Sequence, residues 1–184
     1  MSEKFDIDHN RLFGLLQEVL SQDMTQLKLD ANGGNSILFV YPNEEDNLYI
    51  AEAKRRFRDN AIFVDVAQTL TEFQEEMGMD TFKELEEEIG TDVYFRKGAS
   101  DTFFEYLVNR ITLAAKQGLP VFLVGTSAIA NKGFSNINIM EHEAVKKASQ
   151  PLVYFYPSTI EGDKIYFLGD HDHVASKYRC RVIK

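Results

Sequence analysis

The chain carries four short apolar runs, at residues 37–41, 62–66, Val121–Val124 and 152–156, apolar on both faces save for Asp65 in the second, and each separated from the next by a stretch of helical periodicity. A strand with one wet face alternates polar and apolar residues. An unbroken run instead marks a strand covered on both sides, the habit of parallel sheets flanked by helices. Parallel neighbours need a crossover of a dozen or more residues, and the intervening segments supply that length. The pattern predicts an α/β fold: a three-layer sandwich with a mainly parallel sheet, in one domain spanning residues 1–184.

Leu12, Leu15, Leu16, Val19 and Leu20 recur at helical spacing, with Asp8 in position to cap an opening helix. Asn43 is expected to cap a second helix, with Glu44, Glu45 and Asp46 in its first turn and Tyr49, Ile50, Ala53 and Phe57 on one face. That helix would join runs 37–41 and 62–66 as a βαβ unit. Segment 72–92 holds nine acidic residues and one basic residue, Lys83, yet keeps Phe82, Leu85 and Ile89 in a stripe, so it reads as a solvated surface helix. The strongest amphipathic pattern is Phe103, Phe104, Leu107, Val108, Ile111, Ala114 and Ala115, closed by Gly118. Ile137, Met140, Ala144 and Ala148 outline a last crossover helix. Too few residues separate Tyr156 from Lys164 for another parallel crossover, so 164–168 should return as an antiparallel C-terminal hairpin. Tyr178, Cys180 and Val182 alternate with Arg179 and Arg181, the mark of a half-exposed edge strand.

Charge narrows the function. The 20 Lys and Arg against 29 Asp and Glu leave a net charge of −9, which repels a phosphate backbone, so direct nucleic-acid binding is not expected. The one cationic cluster, Lys54, Arg55, Arg56 and Arg58, falls where a helix C-terminus would attract it. Cys180 is the single cysteine, which excludes an intramolecular disulfide and any zinc site needing two or more thiolates. A reducing cytoplasm suits such a chain. No run approaches the ~20 apolar residues that span a bilayer, so neither a membrane segment nor a secretory leader is expected.

In an open α/β sheet the ligand crevice lies beyond the carboxyl ends of the strands. A phosphate cradle after the first strand needs glycines and a lysine. The sequence there is Tyr41-Pro42-Asn43-Glu44-Glu45-Asp46, so the layout resembles a P-loop NTPase with no P-loop. Two weaker alternatives exist: a small-anion or nucleotide site at Ser127 and Lys132, and a metal site at His171 and His173 within Asp170-His171-Asp172-His173, which otherwise reads as a polar hairpin loop. His142, between two glutamates, lacks the second histidine of an HExxH site and reads as a surface histidine. No catalytic residue and no cofactor is predicted.

From Pro120 onward the residues become specific. Pro120-Val-Phe-Leu-Val-Gly125, Pro151-Leu-Val-Tyr-Phe-Tyr-Pro157, Glu161-Gly162, Ile165-Tyr-Phe-Leu-Gly169 and Tyr178-Arg-Cys-Arg-Val182 resemble the BrxB family of bacterial BREX phage-defence systems. Residues 1–115 agree with that family only in size and general layout. Where the family has a glycine after the second proline this chain has Ser158, so a turn geometry different from the family's is expected there. The resemblance implies a non-enzymatic component of a complex that methylates host DNA and blocks phage replication. Its implied partners are the other BREX components, above all the phosphatase-like PglZ protein. On this reading the partner surface is expected at the C-terminal edge strand and the 157–162 turn, through Tyr156, Pro157, Gly162, Tyr178, Arg179 and Arg181. The alternative is a regulatory enzyme that binds a small anion, nucleotide or metal.

Overall fold

The computed structural model describes the backbone of residues 3–184 and the side chains of residues 8–184. In chain order the elements are α1 (Glu3–Ser21), α2 (Met24–Asp30), β1 (Ser36–Pro42), α3 (Asp46–Arg56), β2 (Ile62–Asp65), α4 (Val66–Met77), α5 (Met79–Ile89), α6 (Phe103–Ala115), β3 (Val121–Val124), α7 (Asn136–Glu141), α8 (Glu143–Lys146), β4 (Leu152–Glu161), β5 (Lys164–Phe167) and β6 (Cys180–Ile183). The strands form one sheet in the order β2-β3-β4-β1-β6, all parallel, and β5 pairs antiparallel with the outer half of β4.

Alternation along each strand divides the core in two. Ile37, Phe39, Tyr41, Phe122, Val124, Val153 and Phe155 pack against α1, α2 and α3 through Phe13, Leu16, Leu27 and Tyr49, with Phe57 just past the end of α3. Leu38, Val40, Val121, Leu123, Leu152, Tyr154 and Tyr156 face the other way, onto Phe73, Phe82, Phe103, Leu107, Ile111 and Met140 of the later helices. The result is the three-layer α/β sandwich that the apolar runs predict. Much of the first layer is aromatic: Tyr41 and Tyr49 stack at 4.6 Å, and Phe39 lies 5.0 Å from Phe155.

Several expectations are corrected. Asp8 lies inside α1, which has already begun at Glu3, so it is not that helix's cap. Segment 24–30, too polar to register as periodic, is a separate helix whose true cap is Asp23, accepting from the Thr25 amide at 2.8 Å. Helix α3 starts at Asp46 after a 3-10 turn over Asn43–Glu45, and Asn43 caps nothing. The acidic stretch is two helices broken at Gly78, where φ is +90°.

The expected βαβ unit is not a neighbouring pair either. β1 and β2 are parallel, but β3 and β4 lie between them. The reason is burial. β1 is apolar on both faces and takes a central place, whereas Ile62, Phe63 and Asp65 of β2 are only half-buried and suit the sheet edge. The chain thus crosses to the far edge over α3 and works back through β3 and β4, which lays the later helices on the opposite face.

Candidate functional site

Three places bring polar side chains together at the surface: the carboxyl ends of the parallel strands, a cleft beside β4, and the C-terminal edge.

At the strand ends, carboxylates stand where a nucleotide fold presents amides. Asp65 ends β2 and turns back to accept from the Ala67 and Gln68 amides at 3.0 and 3.2 Å, filling the N-terminus of α4 with the protein's own anion. Gly125, at φ +64°, closes against it, and a Cβ there would lie 2.7 Å from Asp65 Oδ1. The Tyr41 hydroxyl donates to Asp46 Oδ1 at 2.6 Å. Burial, the larger cause, and the neighbouring Asp65 charge raise the Asp46 carboxyl above its ordinary range, while the Tyr41 bond works the other way. Thr126 donates to the Phe155 carbonyl at 2.6 Å.

Strand β4 outruns its neighbours. Pairing with β3 ends at Tyr154 and pairing with β5 begins at Ser158, and Pro157 occupies the gap, where a missing N–H disturbs the ladder least. Two of the expected surface residues, Tyr156 and Pro157, are therefore buried in this strand, and 157–161 is strand rather than turn, with the reversal left to Gly162 at φ +59°. Ser158 is buried in extended strand with no positive φ, so the chain does not turn at the serine that stands where the family pattern has glycine. Tyr154, Tyr156 and Ser158 fall on alternate positions and share a face of β4. The Tyr154 and Ser158 hydroxyls are buried without a hydrogen-bond partner among the described residues.

Beside that face opens a cleft of about 520 Å³, within the range of small-ligand sites. One wall is the segment after β3, with Ile129, Phe134 and Asn138. The other is the loop after β5, with Leu168, Asp170 and Asp172, and Tyr156 and Phe167 form its base, ring centroids 4.9 Å apart. The Asp170-His171-Asp172-His173 motif gives Asp170, Asp172 and His173 to this cleft, whereas Ser127 and Lys132 belong to the opposite segment without lining it, and nothing in the spacing of the two segments brings them together. Only the length of β4 and the hairpin return do that.

The alternative ligand residues do not converge as a metal or phosphate would need. Ser127 is exposed on a 3-10 turn, and the Lys132 ammonium rests over the Tyr94 ring at 4.0 Å. His171 stacks on Tyr166 at 4.4 Å and approaches Glu161 at 3.3 Å, while His173 Nδ1 lies 2.7 Å from Asp170 Oδ2. Hydrogen bonding from the Asp172 amide, then from His173, lowers the Asp170 pKa, so its carboxylate is ionised. Among the described residues no three His, Cys, Asp or Glu side chains gather as a metal site. His142 does more than decorate a surface: its Nδ1 accepts from the Ala144 amide at 3.2 Å and caps α8.

At the C-terminal edge, β6 runs parallel to β1 and, among the described residues, pairs on that side only. The strand begins at Cys180. Tyr178 and Arg179 precede it, and Arg179, at φ +53°, breaks the alternation predicted from 178 onward. Tyr178 is 52% exposed with the Arg179 guanidinium 5.1 Å over its ring, and Arg181 points to water 4.0 Å from Asp30. Gly162 is exposed at the hairpin tip.

These features define a three-layer α/β protein with acidic strand ends, a polar-aromatic cleft and an open parallel edge. Compared with known proteins, the chain matches no family model, no curated protein and no solved structure. Among the described residues no helix is long and apolar enough to cross a membrane.

Proposed function

We propose that this chain is a non-catalytic protein–protein interaction module of a BREX-type phage-defence complex, working in the cytoplasm, with the phosphatase-like PglZ protein as its partner. The observation that carries the reading is the exposed Tyr178 ring, overlaid by Arg179 and followed by the outward Arg181 on the unpaired edge of β6. Tyrosine and arginine are the side chains most enriched at binding hot spots, because each combines large contact area with a directional polar group. An edge strand adds backbone donors and acceptors that a partner chain can complete. The Asp65 carboxylate seated on the first amides of α4 adds support, since it occupies the position that a bound phosphate would take. The likeness of residues 120–182 to the BrxB pattern supplies the biological setting.

A second reading, a regulatory protein that binds a small ligand, has the 520 Å³ cleft in its favour.

The test is co-purification of the tagged chain with the PglZ-type protein encoded beside it. Tyr178→Ala and Arg181→Ala should each lower recovery of the partner while the thermal midpoint of the isolated chain stays unchanged. No recovery by the wild-type chain, or full recovery by both variants, removes the proposal.

A further inference from the structure

The cleft beside β4 has a definite chemical character. Two carboxylates, Asp170 and Asp172, line it, and no Lys or Arg does among the described residues. The cations that flank it in sequence are engaged elsewhere: Lys132 over Tyr94, Lys177 on the Asp163 carbonyl and Arg179 near Glu141. The Asp170 charge is met in part by His173, but the exposed Asp172 carboxylate makes no hydrogen bond or ion pair among the described residues, its backbone amide alone bonding to Asp170. At the base lies Tyr156, only 3% exposed, whose hydroxyl makes no hydrogen bond among the described residues, and burial is the one cause that raises its pKa. Unlike the Tyr154 and Ser158 hydroxyls it is not sealed from solvent, so a guest that covers it must offer it a partner. Ile129, Phe134, Phe167 and Leu168 make the rest of the lining apolar.

We propose that this cleft is a binding site for a cationic group on a short apolar stem, an alkylguanidinium or alkylammonium, with the stem against Phe167 and Leu168, the charge facing Asp172 and a donor reaching the Tyr156 hydroxyl. An anion is disfavoured by the two carboxylates, and a purely apolar guest would leave the phenol unpaired. The chemistry is shared by a free small molecule and by an arginine side chain of a peptide. The site stands apart from the partner surface at Tyr178 and does not rest on it.

The probes are n-butylguanidinium, its uncharged isostere n-butylurea, and Nα-acetyl-arginine amide, titrated into the full chain and followed by amide shifts in ¹⁵N-labelled protein. n-Butylguanidinium should move resonances of 129–138 and 168–174, and n-butylurea should bind at least tenfold more weakly, since a hydrogen bond to a charged group is worth roughly that factor or more. Asp172→Asn and Tyr156→Phe should each weaken n-butylguanidinium by roughly tenfold with unchanged folding, because neither side chain's polar atoms support other contacts. Equal binding of the acetylated arginine amide assigns the site to a peptide side chain, and its failure beside a binding n-butylguanidinium assigns it to a free small molecule. No shift with n-butylguanidinium, equal affinity for n-butylurea, or unaltered binding by both variants overturns the proposal.

Discussion

Gly34 and Arg179 approach so closely that a Cβ on Gly34 would lie 1.9 Å from the Arg179 carbonyl oxygen. This contact pins the segment before β1 to the segment before β6, and the same short stretch carries the left-handed φ of Arg179. Gly34→Ala should cost more than about 3 kcal/mol, because the obstacle is backbone that cannot swing aside. Gly33→Ala, at φ +82° with open space around it, should cost only about 1–2 kcal/mol. Chemical denaturation of the two variants checks this, and equal losses would contradict the close approach.

Tyr154→Phe tests the unpaired hydroxyl at the centre of β4. The ring is fully buried and its oxygen has no partner among the described residues, so removing that oxygen relieves a desolvation cost without opening a cavity. Stability should stay level or rise by about 1 kcal/mol, whereas Tyr154→Ala should lose about 3–5 kcal/mol. A clear loss on Tyr154→Phe would mean that the hydroxyl is hydrogen-bonded after all.

Glu52 sets a pH dependence. Arg55 donates to it at 2.6 and 2.9 Å and Arg56 at 2.5 Å, and these bonds, Arg55 first, hold its pKa at about 2 against an ordinary 4.5. A pKa depressed by folding means that the stabilisation is complete above the unfolded value and is lost as pH falls from about 4.5 through about 2. Arg55 is largely in water, so the effect is limited to about 1 kcal/mol. The stability gap between wild type and Glu52→Gln, measured by urea unfolding, should be constant near neutral pH and shrink across that acid window. A gap that widens with acid would reverse the assignment.

Cys180 should be inert in the folded chain. It is buried at the start of β6, and burial pushes its thiol up to about 12, so almost no thiolate exists at neutral pH. Ellman's reagent should label it only on unfolding or on opening of β6. Labelling in native buffer as fast as in urea would show that the edge strand is not docked.

The layer architecture was legible in residues because it depends on burial periodicity, which is local. Ile37 to Tyr41, Val121 to Val124 and Leu152 to Tyr156 announce strands covered on both faces, and Phe103 to Ala115 announces its helix, with no knowledge of neighbours. The hairpin after β4 was equally legible, since a short connection leaves only an antiparallel return. Misplaced features lie where a long-range contact overrides the local signal. Arg179 leaves the alternation because Gly34 presses on it, and Pro157 stays inside a strand because β4 changes neighbours there.

The amino-acid sequence by itself determined the fold class, the acidic strand ends and the strand reversal, since each follows from side-chain pattern and chain length over a few dozen residues. Tertiary structure alone decided that β3 and β4 separate β1 from β2, that Tyr156 is buried, and that Asp172 and Tyr156 share a cleft with the loop after β3. Strand order and cleft walls are set by which distant surfaces bury one another best, a property of the whole chain that no local window contains.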